Sequence, residues 1–244
     1  MTTEHIQYLT TYQYVNKFRL GNNGDGGYVI ANLDGDYDLY ISAGVSNEES
    51  FTKEFINHYK LDLSKNYAFD GTIQNYPYEY TQNIHFVRKN ISDVNSEETT
   101  NLKYLIQNNK NIFLKMDIEG GEYPWFLSLS DEELSHFKQM VFELHCINDD
   151  RFGCSFEKKV ECLKKLAKNH YIIHAHANNN GVGWGKDREV NGIPNIIELT
   201  YIRKDCIDTP TLNTIPLPIE GLDFKNAPYD EMNLNFPPFT FPST

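Results

Sequence analysis

The residues best suited to chemistry lie in NIFLKMDIEGGEYPWF, 111–126, where an apolar run stops at Asp117 and Glu119 and Glu122 follow around Gly120 and Gly121. A structural turn needs one or two such residues. Three carboxylates packed this closely suit a corner that holds a cation or a cationic ligand. Further along, Glu143 and His145 in FELH share a strand face, because side chains two apart point the same way. His174 and His176 in HAHANN repeat the alternation and lead into Asn178 and Asn179. Oxygen donors with an occasional imidazole are what Mg²⁺ or Mn²⁺ takes, the imidazole pointing to Mn²⁺. Asp117, Glu143 and His145 form the expected metal set, with His176 or Asn178 closing it. His145 is read as base or ligand, and Glu119 as an acceptor for loop N–H groups. The plainer reading leaves Glu143 bonded to backbone, His174 as a core histidine and Glu122 as a helix cap.

These side chains must be positioned by strands and helices, and the chain supplies both in alternation. Strands are expected over 24–32, 38–44, 65–70, 84–92, 111–117, 139–145, 171–178 and 194–204. Helical spacing marks SFTKEFINHY (50–59), with Ser50 as its cap, a segment around 97–109, DEELSHF (131–137) and FEKKVECLKKLAKNH (156–170). Such alternation with short connections predicts a mostly parallel sheet with helices on both faces. The last two strands lack a helix between them and are expected to pair antiparallel. The tail, 205–244, holds seven prolines, too many for a central strand or long helix, and is expected to wrap the domain formed by 1–204. Its FPPFTF is apolar enough to pack against a second copy of the chain.

In open α/β sheets ligands sit at the carboxyl ends of the strands, here Gly44, Asp70, Asn90, Asp117, His145 and Asn178. Gly44 lets a ligand approach the backbone, with Ser46 in the loop behind it. Asp70 ends the next strand, where a carboxylate can accept ribose hydroxyls. A dinucleotide site would carry a G-x-G-x-x-G run, whereas AGVSNEE has one glycine and two glutamates that would repel a diphosphate. A ligand with a sulfonium and an amino group, such as S-adenosylmethionine, would not be repelled. Asp25 in the GDGGYV turn can engage its ammonium. The set expected around the cofactor is thus Asp25, Gly44, Ser46, Asp70, Asn90 and Asp117.

Composition narrows the partners. A net charge of −12 over 244 residues argues against a nucleic acid, which demands a concentrated basic surface. No apolar run is long enough for a transmembrane segment, the first residues lack a signal-peptide pattern, and the four cysteines include no CxxC pair. A reduced, cytoplasmic protein is expected.

GDGGYVI, LYISAGVSNEESF, AFDGT, LKMDIEGGE and NIIELTYIRK occur in the order seen in FkbM-type S-adenosylmethionine-dependent methyltransferases, and LKMDIEGGE is similar to that family's K-x-D-x-E-G-x-E signature. The resemblance spans roughly 19–204. It implies a class I methyltransferase (Rossmann-like) seven-stranded sheet and O-methylation of sugars or other small metabolites. It also marks the Asp117 corner as the site. The expected substrate is a nucleotide-linked sugar destined for a surface (capsular) polysaccharide. GVGWGKDRE (181–189) is the expected lid, with Lys186 and Arg188 meeting a substrate phosphate. The competing readings are an NAD-dependent oxidoreductase and a non-catalytic glycan-binding protein.

Overall fold

The computed structural model describes residues 4–180 and 189–243. Its main sheet has seven strands, numbered here along the chain: β1 (Leu39–Ala43), β2 (Asn66–Phe69), β3 (His85–Val87), β4 (Ile112–Met116), β5 (Phe137–His145), β6 (His170–Ala177) and β7 (Ile196–Arg203). Their spatial order is β3-β2-β1-β4-β5-β7-β6. β7 runs antiparallel to both of its neighbours, as expected from a sequence with no helical pattern between the last two strands, and the other pairs are parallel. This is the expected α/β architecture.

Among the described residues five helices fill the connections: α1 (Ser50–Tyr59), α2 (Lys103–Ile106), α3 (Glu122–Ser128), α4 (Asp131–Ser135) and α5 (Phe156–Asn169). Strand alternation separates two apolar layers. Leu39, Ile41, Leu114 and Met116 pack with residues of α3, α4 and α5, whereas Tyr40, Phe113 and Val141 pack on the other face with Phe51 and Phe55 of α1. A hairpin, Lys17–Leu20 with Tyr28–Ala31, covers part of that second face, so helices do not cover it alone. Gln139 of β5 ties it down, accepting from Ala31 N–H at 2.7 Å and donating to Ala31 O at 3.1 Å.

Three elements differ from the sequence reading. The 84–92 strand splits: His85–Val87 joins the main sheet, while Asn90–Ile91 pairs with Thr99–Thr100 in a separate ladder. The helix expected over 97–109 shrinks to a single turn, α2. Leu102 before it takes φ +62°, and the side chains of Asn108 and Asn109 bond back to the carbonyls of Tyr104 and Leu105. Ser50 does not cap α1, because its hydroxyl accepts from Asn22 N–H at 2.9 Å instead. In the tail, Leu217, Leu234 and Phe239 are buried in the same core as β1 and β4, so Phe239 of FPPFTF packs against its own chain. The expected lid falls on 181–188, which lie outside the described residues. Among the described residues no helix is long and apolar enough to cross a membrane.

Candidate active site

Parallel pairing of β1 with β2 and β4 brings the carboxyl ends of the three strands together. There they line a cavity of about 500 Å³ that includes Asp25, Gly44, Ser46, Asp70, Asn90 and Asp117. Each residue expected around a cofactor therefore meets the same space. Its floor is a close backbone crossing. Gly44 donates its N–H to Phe69 O at 3.0 Å, and Asp117 N–H donates to Ala43 O at 2.9 Å.

Asp70 organises the loop beyond Gly44. Its Oδ2 accepts from the N–H groups of Val45 (3.0 Å) and Ser46 (2.9 Å), and its Oδ1 from Thr72 N–H (2.8 Å) and hydroxyl (2.6 Å). Burial pushes this carboxyl up, but those hydrogen bonds outweigh it and hold the group below the usual range. Asp70 thus braces the loop in addition to lining the cavity. Asn90 Oδ1 accepts from Gly71 N–H at 2.9 Å, which fixes the next turn. Glu48 and Glu49 point in different directions. Glu48 reaches Asn22 and Ser50 at the mouth, while Glu49 turns inward to the hydroxyls of Ser42 (2.9 Å) and Tyr76 (2.8 Å). NYPYEY, which reads as a surface loop, therefore buries Tyr76.

At the neighbouring corner four carboxylates surround one imidazole. His145 Nε2 lies 3.0 Å from Glu143 Oε1, 3.4 Å from Glu119 Oε2 and 3.8 Å from Asp117 Oδ1, and its Nδ1 lies 3.3 Å from Glu122 Oε1. Burial pulls the imidazolium down, but Glu122 and Glu143 bonded to its two nitrogens push it up to about 12. Burial and the Glu143 charge together push Asp117 up to about 7, against the opposing pull of Lys115 and His145. Asp117 Oδ1 is buried with no hydrogen-bond partner among the described residues.

One donor atom each from Asp117, Glu143 and His145 falls within 4.8 Å of the others. Asn178 joins this group by donating to Glu143 Oε2 at 2.8 Å. His176 does not. Its Nδ1 bonds Glu198 at 3.0 Å and its Nε2 lies 3.3 Å from Glu231 of the tail, because strand register places Glu198 of β7 between His176 and Glu143. Glu122, expected either in the cation-holding corner or as a helix cap, is fully buried, accepts from Ile118 N–H at 3.1 Å and holds the back of the His145 ring. Its spacing of five from Asp117 carries no strand or helix periodicity, so nothing in the sequence marked that contact.

Comparisons with known proteins identify the family. The family model described as methyltransferase FkbM domain matches residues 6–174. Similar solved structures include the fibrillarin/Nop5p complex, 12% identical over 70% of this chain and 74% of that one with a TM-score of 0.40. Another is the N-methyltransferase NodS from Bradyrhizobium japonicum WM9 with S-adenosylhomocysteine, 11% identical over 69% and 79% with a TM-score of 0.38. No curated protein matches the chain. With the domain match spanning most of its length, the chain belongs to the FkbM methyltransferase family and is an S-adenosylmethionine-dependent methyltransferase.

Proposed function

We propose that the protein transfers the methyl group to a sugar hydroxyl, on a nucleotide-linked sugar used in surface polysaccharide synthesis. One observation carries the O-methylation reading: Asp117, raised to about 7 and with an Oδ1 that accepts no hydrogen bond among the described residues, lies on the wall of the cavity beside Glu143 and His145. The acceptor oxygen attacks the methyl carbon in line, the carbon–sulfur bond breaks, and its electron pair remains on sulfur as the neutral thioether. The hydroxyl proton must leave, and a carboxylate matched to neutral pH is suited to take it. Asp117 is assigned that role. His145, held as an imidazolium between Glu122 and Glu143, is poorly suited to be the base, and its charge instead offsets the carboxylates around it.

The same corner fits a divalent ion. Asp117, Glu143 and His145 would hold it, the ring ligating through Nε2 only once that nitrogen has lost its proton to the incoming ion, with Glu122 fixing the ring from behind as carboxylates do for ligating histidines. When bound, Mg²⁺ or Mn²⁺ would lower the pKa of the acceptor hydroxyl. Family membership and the glycine-poor 43–49 loop disfavour the NAD-dependent alternative.

The test is transfer of a labelled methyl group from S-adenosylmethionine to a panel of free and nucleotide-linked sugars, with and without a chelator. A methoxy product identified by NMR supports the reading. Transfer to nitrogen, or to none of the sugars, overturns it, and unchanged turnover after chelation removes the metal.

A further inference from the structure

The cofactor cavity has a lopsided charge. Five carboxylates line it (Asp25, Glu48, Asp70, Asp117 and Glu119), and Lys115 is the one cation among its described lining residues. Lys115 lies on β4 beside Ser42 of β1 and two positions before Asp117, on the sheet face that carries α1. Its ammonium donates to Gly44 O at 2.6 Å and lies 3.9 Å from Glu49 Oε1, with 6% of the side chain exposed. An ammonium has three protons to donate, and these two partners leave donor capacity on the cavity side.

The methionine end of the cofactor carries an ammonium and a carboxylate on one carbon. The first finds a surplus of carboxylates in this cavity. The second is repelled by the same groups and needs a cation to enter. We propose that Lys115 binds the carboxylate of the cofactor's methionine end, while its bond to Gly44 O keeps it fixed beneath the loop. The assignment rests on the cofactor occupying this cavity.

S-adenosylhomocysteine and its decarboxylated analogue, S-adenosyl-3-thiopropylamine, differ only in that carboxylate, so titration calorimetry with both isolates the contact. The wild-type protein is expected to prefer S-adenosylhomocysteine by about 10- to 100-fold, the range of a charge-assisted hydrogen bond. Lys115→Met is expected to erase the preference, binding both ligands about as the wild type binds the analogue. A residue that only braces the loop would weaken both ligands by the same factor and leave the preference intact, which overturns the proposal. A wild-type protein that binds the two equally overturns it without any variant. A wild-type protein that binds neither removes the cofactor's placement in the cavity and the anchor with it. If Lys115→Met does not fold, Lys115→Gln takes its place, with thermal denaturation as the check.

Discussion

Gly44 and Asp117, at the ends of adjacent strands, meet backbone to backbone: a β-carbon on Gly44 would lie 1.6 Å from the Asp117 carbonyl oxygen. Gly44 also takes φ +80°, a conformation that costs any other residue about 1–2 kcal/mol. Close approach and handedness therefore both demand glycine here. The contact joins the loop that lines the cavity to the strand end that carries Asp117, so a shift in one displaces the other.

Gly44→Ala tests that coupling. The methyl group must displace either the 44–46 loop or the Asp117 carbonyl, and the residue must leave its left-handed conformation. The variant is expected to lose more than about 2 kcal/mol of stability, as strained positions do, together with most of its affinity for S-adenosylhomocysteine. Urea denaturation and calorimetry read the two effects. Wild-type cofactor affinity in a folded variant would show that the loop and the corner are not coupled.

Asp117→Asn separates chemistry from binding. The amide keeps the shape but cannot accept the acceptor's proton, so kcat is expected to fall by about 10²–10⁴-fold, the usual contribution of a general base. The affinity for S-adenosylhomocysteine should change much less. Steady-state kinetics beside calorimetry measure both, and near-normal turnover would remove Asp117 from the reaction.

The pH profile follows from the Asp117 pKa of about 7. The base must be ionised, so kcat is expected to fall tenfold per pH unit below about 7 and to level off above it. Stability should move the other way. A carboxyl raised in the folded state favours folding while protonated, and that contribution is lost as pH rises from its unfolded value of 3.8 through about 7. Asp117→Asn should flatten the limb of the stability curve that Asp117 supplies. A wild-type rate that falls with rising pH across neutrality would contradict the assignment.

Asp70→Ala addresses the loop. Removing the carboxylate leaves the N–H groups of Val45 and Ser46 without their acceptor and frees Thr72. Cofactor affinity is expected to drop by about 1–3 kcal/mol, the scale of lost charge-assisted bonds. Because hydrogen bonding holds Asp70 below the usual carboxylate range, the wild-type contribution should persist into mildly acidic solution. Unchanged affinity by calorimetry would reduce Asp70 to a turn residue.

What the sequence revealed follows period and chain order. Alternating apolar residues located every main strand, and the missing helix before PNIIELTYIRK foretold the antiparallel β7. The strand ends then gave Gly44, Asp70 and Asp117 as cavity-lining residues. Contacts that depend on register were hidden. His176 appeared equivalent to His145, but β7 inserts between their strands, so Glu198 intercepts it. The inward turn of Glu49 and the burial of Tyr76 depend on a loop-to-loop contact that no local pattern encodes.

The tail offers a separate test. Asp223 lies 2.8 Å from His174 Nε2, and Lys17 Nζ donates to His174 Nδ1 at 3.4 Å. With Nδ1 accepting, the ring is neutral and Nε2–H donates to Asp223, consistent with burial lowering His174 despite the nearby carboxylate. Burial pushes Asp223 up, but His174 and the N–H of Ile219 outweigh it and hold it at about 2. Its contribution to stability is therefore present above its unfolded value of 3.8 and lost only as pH falls towards about 2. Asp223→Asn removes the charged acceptor of the His174 Nε2–H and should cost about 1–3 kcal/mol, the scale of a hydrogen bond to a charged group. The 219–231 segment should then become the first point of cleavage in limited proteolysis at pH 7. Cleavage elsewhere, with unchanged stability, would show that the tail is held by Leu217, Leu234 and Phe239 without this pair.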